Sequence, residues 1–515
     1  MYKNLPPLVL LIALIVLACS TNTGQEYPFG PCADLAILDP DEIDLEQAPL
    51  WRVSSFLEAR DLPSSVEAVE LVSASDQMLA ELATKQAIKE VRFLSVNNVS
   101  FGGMAELQAL PSLEILDCEG LSLEDTWMDE IAQIPSLREL YLYGQDQLTN
   151  IGFARLSMAA SLHELWLDGP NLIDMWVDEL ISAPNLQRVT LSDAPQLTEN
   201  AAITLAASMT LKRIDFDNVP LDDEWLRHLS GSASIEELGL KEQSSFTFAG
   251  IEYLADLPTL KELDLSGCDV DAAWFEPLGQ LAGLVELRLN GIPSVDYQFW
   301  DELIPISSLE TLEVRSSNIS DDHLRHIAMI PNLRKLELSM NPITRAGTTH
   351  LKAAPALEQL WLDGCYGLND LAVRDICEIA TLKEIRFGIG GAGSFALGNM
   401  AMRFLSEKQS LQNLTIARFS GLSNADLELL VRPLPNLRRL TLIECHSIDG
   451  RFVTYLARAG SCLDRLSIQD CAGVSASSLG EIDRLKNLVR LEIAGVGTDA
   501  LMQILSTLPR LERLD

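Results

Sequence analysis

One sentence of eleven residues, LKELDLSGCDV from Leu260 to Val270, recurs along most of this chain and limits what it can fold into. Aliphatic residues take its first, fourth and sixth positions, a Cys or Asn often takes the ninth, and another aliphatic closes it. The first positions run from Val66 and Ile88 through Leu113, Leu137 and Leu162 to Leu488 and Leu511, nineteen rungs in all. Between Leu113 and Leu382 the step is 24 or 25 residues, nearly alternating, which makes a pair of rungs a candidate older unit. A fixed period in this range means a stack of like units. One solenoid of such units is therefore expected to account for nearly everything after residue 66, where length alone would suggest three or four domains.

Within a strand, side chains alternate between faces, so the three aliphatics of each rung point one way and the residues between them point the other. The second half of a rung has helical spacing instead. In SDDHLRHIAMIPNL, Leu324, Ile327 and Ile330 recur at three-residue steps after Ser320, a helix N-cap type. One unit is thus a strand plus a helix. Strands pair about 4.8 Å apart and a helix with its side chains is roughly 10 Å across, so stacking bends the coil with strands on the inside.

In this wording and period the chain resembles the leucine-rich repeat family, in its ribonuclease-inhibitor-like and cysteine-containing classes. The resemblance covers about 85% of the chain and implies an α/β solenoid, a horseshoe of 18 to 19 repeats with a parallel β-sheet on the concave face and helices on the convex face. It also implies a non-catalytic protein–protein interaction module that binds through the concave strands. Ninth-position Cys268, Cys365, Cys445 and Cys471, with Asn318 and Asn341 in the same role, are expected to satisfy loop backbone groups. Cys445 and Cys471, one rung apart, are also within reach of a bridge.

Third, fifth and seventh positions project from the concave side. From Leu113 to Leu333 they are rich in acids, among them Asp117, Glu119, Glu139, Glu164, Asp168, Glu286, Glu313 and Glu337, against Arg188, Arg213, Lys241, Arg288, Arg315 and Lys335. Tyr141, Tyr143 and Trp166 sit among them, and Trp361 with Asp363 repeats the LWLDG context of Trp166 and Asp168. Exposed aromatics on rigid strands are typical interface anchors. The late rungs carry Arg439, Arg465 and Arg490 instead. With 74 acidic and 38 basic residues the formal charge is −36, and because the stretch from Leu382 onward holds 16 bases and 14 acids, the excess lies before it. Such a field argues against a nucleic-acid backbone as a general partner and fits a basic or neutral protein better.

Residues 1–18, MYKNLPPLVLLIALIVLA, place Lys3 before an apolar run of about 14 residues, short for a bilayer span and formed like an export signal. The run ends in Val16-Leu17-Ala18-Cys19, which resembles the lipobox of bacterial lipoproteins, Leu17 being its unusual member. That resemblance implies a lipid on Cys19, and Ser20 after it implies the outer membrane, in periplasmic or surface-facing position. The competing reading is an ordinary signal peptide or short anchor with an incidental cysteine. Residues 19–49 are acidic and proline-bearing, a tether by composition. Residues 50–87 are expected to form an irregular N-terminal cap and first rung, ahead of the repeat domain 88–515.

Other motifs carry less. GIGGAG at Gly388 to Gly393 fits a dinucleotide loop literally, yet Ala417 and Arg418 stand where an acidic residue is needed about 20 positions on. His323 and His326, three apart, lack a third metal ligand and are expected near solvent. No cofactor, metal or small-molecule substrate is expected. Two alternatives compete with the interaction module. One is a structural or adhesive envelope protein that self-associates through an uncapped last rung at Leu511 to Asp515. The other is a substrate-recognition adaptor in a ubiquitin-ligase-type system, expected to carry an F-box-like segment or a helical catalytic domain beside its repeats.

Overall fold

Alternate aliphatics can all be buried on one side only if the backbone is extended, and every LxxLxL segment is indeed a strand. In the computed structural model the described residues are 50–94, 99–388, 398–419, 421–431, 434–458, 462–479, 481–493 and 513–514. They belong to one unit that begins at Glu46. Their strands form a 20-stranded sheet in which each pairs in parallel with the next along the chain. Equivalent leucines face each other across the whole sheet, for instance Leu238, Leu263, Leu287 and Leu312. The strand Glu139–Tyr143 shows the alternation, with Leu140 and Leu142 buried and the three residues between and beside them half-exposed. The fold is an α/β leucine-rich repeat solenoid.

The segment expected as an irregular cap is itself a rung. Leu50–Val53 is a strand in register with Ala68–Leu71, followed by the helix Phe56–Asp61 capped by Ser55. Among the described residues this strand has no earlier neighbour to cover it, so Leu50 and Trp51 are exposed and only Val53 is inside. At the other end Arg513–Leu514 pairs with Arg490–Leu491.

The return segments are helices of one or two turns. Asp321–Ile327 starts at Ser320 as expected and buries Leu324 and Ile327, with Ile330 buried just beyond its end. His323, expected near solvent, is 7% exposed. Its Nδ1 accepts the Ser320 backbone N–H at 3.1 Å, closing the capping box, and also lies 2.8 Å from the Ser320 hydroxyl, while its Nε2 lies 2.7 Å from the Val295 carbonyl oxygen. His326 faces Asp301 at 2.7 Å.

A two-rung period appears between helices. Asp125 accepts the backbone N–H of Thr149 (2.7 Å) and its hydroxyl (2.6 Å), where Thr149 is the N-cap of the next helix. Asp76 does the same for Ser100, Asp174 for Thr198, Asp223 for Thr247 and Asp321 for Thr344, and Asp370 accepts from Gly398 N–H. The close approach leaves no room for a side chain beside the carboxylate: a Cβ on Gly152 would lie 2.6 Å from Asp125, and one on Gly347 2.5 Å from Asp321. Where the series would reach residue 272, Ala stands instead. There the helices give way to the 3-10 segments Ala272–Trp274 and Tyr297–Leu303 and the short helix Phe275–Leu278.

The ninth positions satisfy the loops. Asn341 donates to the carbonyls of Val314 (2.7 Å) and Leu338 (2.9 Å) and accepts from Ser317 N–H and Ile319 N–H. Cys268 and Cys365 donate thiol hydrogens to the Leu240 and Leu338 carbonyls. Ser317, rather than Asn318, fills this role in its rung, its hydroxyl 2.6 Å from the Leu289 carbonyl oxygen. Asn318 is displaced by one residue and takes a left-handed turn, φ 52°.

Candidate partner-binding face

The strands Glu139–Tyr143 and Glu164–Asp168 lie side by side, with Tyr141 opposite Trp166 and Tyr143 opposite Asp168. Because these side chains share the non-leucine face, Tyr141 stacks near Trp166 (centroids 5.4 Å apart) and near Tyr143 (6.3 Å). All three rings are half-exposed. Each end of the cluster is pinned by a carboxylate: Trp166 Nε1 donates to Glu164 (2.8 Å) and the Tyr141 hydroxyl to Glu139 (3.3 Å). The aromatic cluster and its acids are thus brought together as expected.

Negative charge here is poorly neutralised. Among the described residues, Asp117, Glu119, Glu139 and Asp168 make no ion pair, and Glu164 has only Arg188 at 3.7 Å. Burial raises the Glu139 carboxyl, and the Glu164 charge raises it further. Asp168 is raised by burial and by Asp193 and Asp217, Asp117 by burial and by Glu119 and Glu90. Burial together with Asp117, Glu119 and Asp168 pushes the Tyr143 hydroxyl up to about 12.

The central rungs are built differently. Trp361, expected as a second exposed anchor, is 2% exposed. Lys335 Nζ sits 3.9 Å over its ring and the Arg386 guanidinium 5.2 Å away, while its Nε1 donates to Glu384 (3.1 Å). Asp363, also named for partner binding, is buried and paired with Arg386. Arg288 meets Glu286 and Glu313, and Lys335 meets Glu313 at 3.1 Å. Glu337, buried beside Asp363, has its carboxyl raised to about 7, mainly by burial. This stretch is closed by its own cations and offers no open aromatic face.

In the late rungs Arg439, Arg465 and Arg490 are direct neighbours across three strands. Arg439 is exposed, Arg465 half-buried, and Arg490 only 6% exposed and paired with Glu492 at 2.6 Å, so the three are not one open basic patch. Burial and the charges of Arg439 and Arg490 lower the Arg465 guanidinium.

The described cysteines are free thiols, Cys445 and Cys471 included. Burial pushes Cys268 and Cys377 up to about 12, away from thiolate chemistry. One trio, Glu199, Glu224 and His228, brings its ligand atoms within 4.8 Å of one another at the surface. Arg227 already pairs with Glu224 (2.6 Å) and lies 3.2 Å from His228 Nε2, which fills the place of a cation. A hollow of about 510 Å3 opens among loops beyond the strand ends, lined in part by Asp193, Asn218, Glu242 and Gln243, away from the aromatic cluster. Cys19 and the motif glycines Gly390, Gly391 and Gly393 lie outside the described residues. No described helix is long and apolar enough to cross a membrane.

A family model described as Leucine Rich repeat matches residues 256–273, the stretch that holds the LKELDLSGCDV sentence. Among solved structures, an internalin from Listeria monocytogenes is similar at 16% identity over 77% of this chain and 90% of that one, with a TM-score of 0.37. TLR13, solved as a complex with ssRNA13, is similar at 17% identity over 90% of this chain and 75% of that one, with a TM-score of 0.48.

Proposed function

The chain is a leucine-rich repeat protein, and on that footing we propose that it is a non-catalytic module that captures a protein partner on its concave strand face. The aromatic cluster of Tyr141, Tyr143 and Trp166 carries this reading: three half-exposed rings held on two paired strands. A preordered strand surface loses little conformational freedom on binding, rings supply contact area, and the surrounding carboxylates set orientation. In this proposal Cys19 bears a lipid that holds the module on the bacterial envelope, at the outer membrane, with residues 19–49 as the tether.

Crosslinking pull-down from the native envelope tests it. Replacing Tyr141 and Trp166 by Ala should weaken capture of the partner while leaving the chain folded, its thermal melt lowered by no more than a few degrees, and equal capture by the double variant removes the assignment. Radiolabelled palmitate on wild-type chain but not on Cys19→Ser tests the anchor.

A further inference from the structure

Resting on that reading of the early concave face, we infer that the Tyr141–Trp166 cluster seats a cationic side chain, lysine or arginine, carried on an extended basic segment of the partner protein. The chain's own second tryptophan supplies the precedent. Trp166 and Trp361 occupy the same fifth position of their rungs, in the same LWLD wording. Over Trp361 lies Lys335, from the third position of the preceding rung, and opposite it on the following rung is Arg386. The register places Glu139 and Thr190 at the corresponding sites around Trp166. A cation from the chain closes one ring; a carboxylate and a hydroxyl flank the other.

The charge around the open ring matches the missing group. A cation over a Trp or Tyr face is attracted by the ring's quadrupole, and more so when carboxylates flank it. Glu139 and Asp168 have no ion-pair partner among the described residues, and both carboxyls are raised partly by neighbouring acids, which a bound cation would relieve. Further acids at Asp117, Glu119 and Asp217 continue the field across adjoining rungs, as a segment with several basic residues requires.

Binding of labelled hexalysine to the full chain at low and high salt, with fully acetylated hexalysine and spermine beside it, tests the inference. Hexalysine should bind, weaken as salt rises, and bind roughly tenfold more weakly to Tyr141→Ala/Trp166→Ala and to Glu139→Lys, which supplies the chain's own cation as Lys335 does. Glu139→Gln should weaken it less, and thermal melts of all variants confirm folding. Equal binding to the ring-deleted variant means a diffuse acidic field and overturns the seat. Equal binding of the acetylated peptide, no binding of hexalysine at low salt, or spermine binding as tightly as the peptide each overturns the stated occupant. If native capture falls in the ring-deleted variant while hexalysine is indifferent to it, the concave-face reading stands and the cationic seat falls; if native capture is also unchanged, the reading itself falls.

Discussion

Trp166 and Trp361 are written in the same words and end in opposite states. Both stand in a Leu-Trp-Leu-Asp run, both belong to the Asp-bearing rung of a pair, and both lie between buried leucines, Leu165 and Leu167 in one rung and Leu360 and Leu362 in the other. The difference lies one rung away, where Lys335 and Arg386 cover Trp361 and Glu139 and Thr190 leave Trp166 open. In a solenoid the surface character of a residue is therefore decided by its neighbours in register at a distance of about 25 positions, more than by its own local wording.

The sharpest way to break that contrast is to delete each ring. Trp361→Ala should cost about 3–5 kcal/mol, as for a buried aromatic in a core, whereas Trp166→Ala should cost about 1 kcal/mol or less. Urea midpoints measured on both variants check it; equal losses would mean that the two rings are equally packed.

Next in size is pH. Burial, and then the Asp363 charge, hold the Glu337 carboxyl at about 7 in the folded chain, above the ordinary 4.5. A group raised in this way binds its proton more tightly folded than unfolded, so its contribution favours folding at low pH. That contribution is lost as pH rises from about 4.5 through about 7, by up to about 3 kcal/mol. Unfolding midpoints across that window should show the loss, and Glu337→Gln should flatten it. A slope unchanged by Glu337→Gln would place the titration elsewhere.

The helix clamps should separate the two regions more gently. Asp174 accepts two hydrogen bonds from Thr198, while Asp370 accepts one from Gly398, so Asp174→Ala should cost about 1–2 kcal/mol and Asp370→Ala about half that. Thermal melts of the pair test the ordering. The smallest effect is a gain: Glu139→Lys should place an ammonium over Trp166 and stabilise the early rungs by about 0.5–1 kcal/mol, read as a higher urea midpoint.

The strand positions, the inward leucines, the Ser320 cap and the early aromatic cluster were legible in the chain because each depends on spacing within one rung. Features made between rungs were harder to read. The Asp-to-Thr clamps recur at about twice the rung period and become visible only when two units are laid side by side. The burial of Trp361 required reading Lys335 and Arg386 as its neighbours, although all three positions follow from the repeat once the register is applied. Leu50–Val53 escaped because an edge rung lacks the flanking leucines that mark the others. His323 was placed near solvent on helical phase alone, and its capping bond with Ser320 turned it inward.

The clamps also set how such a molecule can change in length. Each carboxylate reaches forward into the next rung, so removing a lone rung would set an aspartate against the wrong neighbour, while removing a matched couple would rejoin the seam intact. Growth and loss should therefore proceed in steps of about 49 residues, and the stretch around Ala272, where no clamp spans the seam, is the natural place for a splice.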